Sequence, residues 1–149
     1  MGQLETNLRE IKAEFCSFED PLLRYSFLVE LSGYLPLPED GLVCERNRFA
    51  LCESPTWVEL IFDGQGACAM RSWSETAVVR GILYMLTELF SGTGAGEVAA
   101  SDILPSDLFG CEGFLTERRE QGMRGLISLA KDEAREWCHA HQAGVSGPP

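Results

Sequence analysis

Trp57-Val58-Glu59-Leu60-Ile61-Phe62, then Asp63-Gly64-Gln65-Gly66, then Ala67 to Trp73, is the stretch that decides the fold. Two extended runs, the first rich in β-branched and aromatic side chains, flank a glycine-rich turn, the pattern of a β-hairpin. Directly after it, Ser72 and Glu75 stand in capping-box spacing before Val78, Gly81, Ile82, Met85, Leu86 and Leu89, a 3.6-residue period that stops at Ser91-Gly92. On the amino-terminal side, Leu4, Leu8, Ile11 and Phe15 predict one amphipathic helix. Asp20-Pro21, a cap residue before the one helical position that welcomes proline, opens a second helix with an apolar stripe Leu23, Phe27, Leu31 and Tyr34, ending before Pro36. On the carboxyl side, five glycines between Gly92 and Gly113 leave room for one or two brief helical turns. Thr116 then caps a last helix buried along Met123, Leu126, Ile127, Ala130, Ala134 and Trp137. The order α-α-β-β-α-turns-α contains no βαβ crossover, so the fold class is α+β: a small antiparallel sheet packed against several α-helices. Residues 1–142 form a single domain, and 143–149 have nothing to bury and are expected to be a flexible tail.

A chain of 149 residues that is 45% apolar can support one core without disulfide staples. Twelve Lys and Arg against twenty-three Asp and Glu leave a net charge of −11, which opposes the counterion-release binding of nucleic-acid proteins and docking on anionic membranes. Neither partner is expected. No run of eighteen apolar residues exists to span a bilayer, and Met1 to Glu14 carries acidic residues where a secretory signal needs a basic start and an apolar centre. The six cysteines are scattered with no C-x-x-C pair, as in reduced cytosolic proteins, so the expected location is cytoplasmic.

Among the groups able to carry chemistry, Cys52 stands out because it lies in an irregular stretch between the Pro36–Gly41 loop and the hairpin, where side chains are presented rather than packed. Arg46 and Arg48 upstream favour a thiolate and Glu53 opposes it; a half-buried structural cysteine is the plainer alternative. Cys138-His139-x-His141 has metal-binding residue types, but on a terminal helix they read as solvated side chains, and no metal is expected. Gly122 and Gly125, one turn apart inside the last helix, suggest a close backbone approach, with tight helix packing as the ordinary cause. No Gly-Lys-Ser/Thr follows any glycine cluster, which excludes a phosphate loop, and the acidic residues are spread as on a solvated surface.

The residues around Cys52 carry a family likeness. Asn47-x-x-x-x-Cys52-x-Ser54-x-x-Trp57 resembles the active-site signature of the SufE family of cysteine desulfuration proteins, which runs approximately Asn-x-x-x-Gly-Cys-Gln-Ser-x-x-Trp. Ala77-Val78-Val79-Arg80-Gly81 is similar to the family's Ala-x-Val-Lys-Gly helix, and Leu115-Thr116-x-x-Arg119-x-Gln121-Gly122 to its Leu-Thr-Pro-x-Arg-x-Gln-Gly segment.

The resemblance implies a SufE-like α+β fold and a persulfide carrier: Cys52 takes sulfane sulfur from a partner cysteine desulfurase of the SufS type, stimulates its turnover, and passes the sulfur to iron–sulfur scaffold proteins. The chain itself then needs no cofactor, the pyridoxal phosphate belonging to the desulfurase. Whether such a carrier counts as an enzyme is left open. By the same resemblance Arg119, Gln121 and Gly122 lie near the cysteine loop. By side-chain chemistry Asn47 and Ser54 hold the loop backbone and Trp57 walls the pocket. Leu51 stands where the family has glycine, Glu53 replaces its glutamine, and Glu117 replaces the proline before its arginine motif. Cys44, Cys68 and Cys111 have no family counterpart and are resolving thiols or core. The rival reading from another class is a non-catalytic module that docks on a desulfurase or scaffold without carrying sulfur.

Overall fold

The two extended runs pair as β1 (Thr56–Phe62) and β2 (Cys68–Ser74) in a computed structural model of the chain, which describes residues 2–50 and 53–145, with side chains through 141. The pairing is antiparallel, with Thr56 opposite Ser74 and Phe62 opposite Cys68, and the Asp63 carboxylate closes the turn by accepting from the N–H groups of Gln65 and Ala67 at 2.8 and 2.9 Å. Those two backbone N–H groups hold the Asp63 carboxyl below its ordinary range.

Strand alternation sends Thr56, Val58, Met70, Ser72 and Ser74 to the buried face, against α3 (Ala77–Phe90). The capping-box reading of Ser72 and Glu75 is therefore corrected: β2 runs on through Ser74, Ser72 is 4% exposed inside the sheet, and the residue before α3 is Thr76. Two serines at buried strand positions had hidden the period of two.

α6 (Glu117–Val145) packs on β1, α1 (Gln3–Cys16) and α2 (Pro21–Leu31) pack on α3, α4 (Ala95–Ala99) on α6 and α5 (Pro105–Phe109) on α1 and α6, with single 3-10 turns at Ser32–Tyr34 and Glu45–Asn47. Asp20 caps α2 by accepting from the Leu22 N–H at 2.8 Å, and the Glu97 carboxylate caps α1 by accepting from the Leu4 N–H. Thr116 Oγ1 accepts from the Arg119 N–H at 3.3 Å, as expected of the α6 cap, and Met123, Leu126, Ile127, Ala130 and Ala134 are buried. The helix continues through Val145, past the expected start of the tail. The core centres on α3 and on Phe15, whose ring meets Phe109 and Phe114 edge-on at 4.9 and 5.2 Å.

The stripe expected to be buried on α2 is turned. Leu28 and Leu31 are buried, whereas Leu23 and Tyr34 are 53% and 62% exposed. Gly81 explains the rotation: an added Cβ there would collide with the Leu28 carbonyl oxygen, so the α2 backbone lies directly on α3. This is a close backbone approach that the sequence did not mark; in the last helix a Cβ at Gly122 would meet no described atom within 4 Å.

Cys68 is buried under this packing, and desolvation pushes its thiol up to about 11. Below that pH it stays a neutral, shielded SH, which fits core and not a resolving nucleophile. In iodoacetamide labelling of the native protein at pH 8, exposed Cys111 is expected to be modified well before Cys68, read by peptide mass; equal labelling would contradict the buried placement.

Candidate functional site

The chain enters the site through the 3-10 turn Glu45–Asn47. Asn47 is buried, and its side-chain amide donates to the carbonyl oxygens of Leu42 at 3.0 Å and Gly41 at 3.3 Å. Gly41 has φ +88°, a conformation that costs glycine nothing. Arg48 then bridges antiparallel to Trp57, and the Phe49 N–H donates to the Thr56 carbonyl at 2.9 Å, so residues 48–49 add a short edge to β1. The ends of the 50–55 segment are thereby tied together. Leu51 and Cys52 lie outside the described residues; what the structure gives is their frame.

That frame is held by four attachments. Ser54 Oγ and Thr76 Oγ1 share a hydrogen bond of 2.6 Å, joining the segment to the amino end of α3. Thr56 Oγ1 donates to the Ser54 carbonyl at 2.9 Å and reaches Ser74 Oγ at 3.2 Å, while the Glu75 N–H donates to the Pro55 carbonyl at 3.3 Å. On the other side, the Glu53 carboxylate pairs with the Arg118 guanidinium in the first turn of α6. Both neighbouring attachments thus lie at helix amino termini, where unpaired N–H groups and the helix dipole favour negative charge.

The outer face of the hairpin beside this frame is aromatic and cationic. Trp57 and Trp73 stand opposite each other across the strands. The Arg48 guanidinium lies 5.5 Å from the Trp57 ring centre and that of Arg80 5.1 Å from Trp73, with Arg80 also donating to the Ser74 carbonyl at 2.9 Å. Arg46 sits 3.9 Å from Glu59, whose carboxylate also pairs with Arg71. The guanidiniums expected to act on a thiolate therefore have other partners as well.

Asn47, Ser54 and Trp57 each make separate contacts in the frame. Asn47 holds the preceding 41–42 backbone, Ser54 reaches α3, and Trp57 packs beneath Arg48. Through Glu53 and Arg118 the frame also reaches the start of α6, where half-buried Arg119, exposed Gln121 and buried Gly122 follow. Among the described residues the Arg119 and Gln121 side chains make no hydrogen bond or ion pair. Sequence reasoning passed over Thr76 and Arg118. The second had a signal, since an acidic Glu53 in place of the family's glutamine needs a counter-charge nearby. His139 and His141 are exposed, with His141 stacked at 3.7 Å on Trp137, and no group of three metal-ligating residue types converges among the described residues.

Ser54→Ala removes the 2.6 Å bond to Thr76 at a part-buried position, so a loss of about 1 kcal/mol in unfolding free energy is expected. Urea titration checks it, and an unchanged midpoint would mean that the hydroxyl pair holds nothing.

Compared with known proteins, the chain matches the family model described as SufE: Fe-S metabolism associated domain over residues 9–134. The chain belongs to the SufE family. It is 30% identical over 136 residues to an uncharacterized SufE-like protein of Rhizobium meliloti (strain 1021), covering 87% of this chain and 95% of that one. A second uncharacterized SufE-like protein, from Rhizobium etli, is 26% identical over 135 residues, covering 87% of this chain and 90% of the relative. The solution structure of a hypothetical protein from Thermus thermophilus shares the fold with a TM-score of 0.69 at 22% identity, over 87% of this chain and 94% of that one. The SufE assignment associates the chain with iron–sulfur metabolism, and the α+β architecture agrees with it.

Proposed function

We propose that this SufE-family chain is a sulfur acceptor whose Cys52 carries a persulfide. The Cys52 thiol loses its proton to solvent, and the thiolate attacks the outer sulfur of a persulfide on a cysteine desulfurase. The donor's S–S bond breaks, the donor thiolate leaves, and a new S–S bond forms on Cys52, with no change in overall oxidation state. A second thiol exchange passes the sulfur to an iron–sulfur scaffold. The pyridoxal phosphate is the desulfurase's, and this chain contributes only its thiol and the frame that presents it.

The observation that carries the reading is the set of attachments on either side of Cys52 in the sequence, one of them made by the signature residue Ser54. Phe49 is bonded to Thr56, Ser54 to the amino end of α3, and Glu53 to the first turn of α6. Ser54 and Glu53, which follow Cys52 in sequence, are tied to the amino ends of α3 and α6, where helix dipoles favour negative charge, the kind of environment that activates other nucleophilic cysteines. No helix among the described residues is long and apolar enough to cross a membrane, in keeping with exchange between water-soluble partners in a cytoplasm that keeps thiols reduced.

The test mixes the wild-type protein with a SufS-type desulfurase and cysteine, then reads peptide masses. One added sulfur on the peptide bearing Cys52, with faster cysteine turnover, is expected. An unmodified peptide and an unchanged partner rate would remove the proposal.

A further inference from the structure

α1 and α2 both pack on α3, and between them a cleft of about 250 Å³ stays open. Its floor is apolar, formed by Phe15, Phe27, Leu31 and Met85. At one end Tyr34 and Tyr84 face each other with ring centres 5.7 Å apart. Four carboxylates stand on the rim: Glu10 and Glu14 from α1, Glu30 from α2 and Glu88 from α3. Among the described residues none of the four has a Lys or Arg within ion-pair distance. Burial and the surrounding carboxylates, Glu88 foremost and then Glu14, push the Tyr84 hydroxyl above its ordinary value.

Here the turned stripe of α2 has its consequence. Leu23, Phe27, Leu31 and Tyr34 share one helical face that runs along and beyond the cleft, and its two ends remain in water. The combination of an apolar floor, an aromatic pair and unpaired negative charge matches one kind of occupant. Apolar side chains fill the floor, while an ammonium or guanidinium reaches past the tyrosine faces to the carboxylates.

We propose that this cleft docks a basic amphipathic helix of a partner protein, with a lysine or arginine side chain seated between Tyr34, Tyr84 and the rim carboxylates. A small amine satisfies the charge but leaves Leu23 and the floor uncovered, so a polypeptide segment is the better match. Tyr84 and Glu88 lie eight and twelve residues along α3 from Thr76, about 12 and 18 Å up the helix axis from the frame of the cysteine segment. A partner held in the cleft therefore leaves the Ser54–Thr76 end free. This surface is independent of the sulfur-acceptor reading.

The probe is a synthetic helical peptide of leucine and lysine with the apolar residues at i, i+3, i+4 and i+7, titrated into the ¹⁵N-labelled full chain. The controls are the same peptide with glutamate for lysine and a scramble of identical composition. Shifts confined to the faces of α1, α2 and α3 that carry Ile11, Phe27, Tyr34 and Tyr84 are expected, with little response to either control. The double variant Glu14→Gln with Glu88→Gln should weaken binding about tenfold or more, whereas Glu5→Gln with Glu136→Gln, which removes equal charge elsewhere, should not. Cys52→Ser should bind the peptide as wild type does, which separates this result from the fate of the sulfur chemistry. Shifts scattered over the acidic surface, equal binding of the scramble, equal losses in both double variants, competition by spermine as strong as by the peptide, or a free chain dimerised through this face would each overturn the proposal.

Discussion

Cys52→Ser should abolish persulfide formation and return the desulfurase to its unassisted rate. An alcohol oxygen does not accept a sulfane sulfur, so the variant loses the reaction outright while changing a single atom. The comparison that gives the result its meaning is Ser54→Ala, two residues away, which loosens the same segment by about 1 kcal/mol and keeps the thiol. Loss of sulfur loading in the first variant, and retention in the second at a reduced rate, is the pattern a carrier produces. Retention of both binding and stimulation by Cys52→Ser would instead identify a docking module that works without carrying sulfur. Circular dichroism and the denaturation midpoint of each variant separate chemistry from folding.

The largest structural effect should come from Gly81. A methyl group at this position meets the Leu28 carbonyl oxygen, a backbone atom held inside α2, and no rotamer change can relieve the collision. Forcing extra atoms into a packed interface costs about 3 kcal/mol, and the better helix propensity of alanine returns about 1 kcal/mol. Gly81→Ala is therefore expected to lower stability by about 2 kcal/mol, or about 4–8 °C in melting temperature for a chain of this length. A smaller effect is expected at Gly122, where the added Cβ meets no described atom within 4 Å. Thermal melts of the two alanine variants side by side decide the matter, and equal shifts would refute the contact.

These two glycines also show how far the sequence could be read. Both occupy helical patterns, and both belong to segments that resemble SufE motifs. Helical period marks a glycine as anomalous without saying which neighbour's backbone it faces, so the approach of α2 to Gly81 could not be read from the sequence. The hairpin was legible because an apolar run with Trp57, Val58, Ile61 and Phe62 and a second extended run flank a turn rich in glycine. Its last turn of strand was not, because Ser72 and Ser74 are buried polar residues and mimic the start of a helix. On α2 eight of the eleven positions are apolar, on more than one face, so the period alone could not say which face α3 covers. The site was legible in composition and spacing around Cys52. Its attachments were not, since Thr76 and Arg118 become neighbours of the segment only when α3 and α6 are folded against it.

The Glu53–Arg118 pair and the Ser54–Thr76 pair fasten adjacent residues by different forces. The carboxylate and guanidinium are about three-quarters exposed, and such pairs are worth at most about 1 kcal/mol and are screened by added salt. The hydroxyl pair is part-buried and uncharged, so salt leaves it alone. In concentrated electrolyte the α6 attachment slackens while the hydroxyl pair and the hydrogen bonds from Thr56 and Glu75 hold, so residues 53–55 keep their grip on the hairpin and α3 and let go of α6.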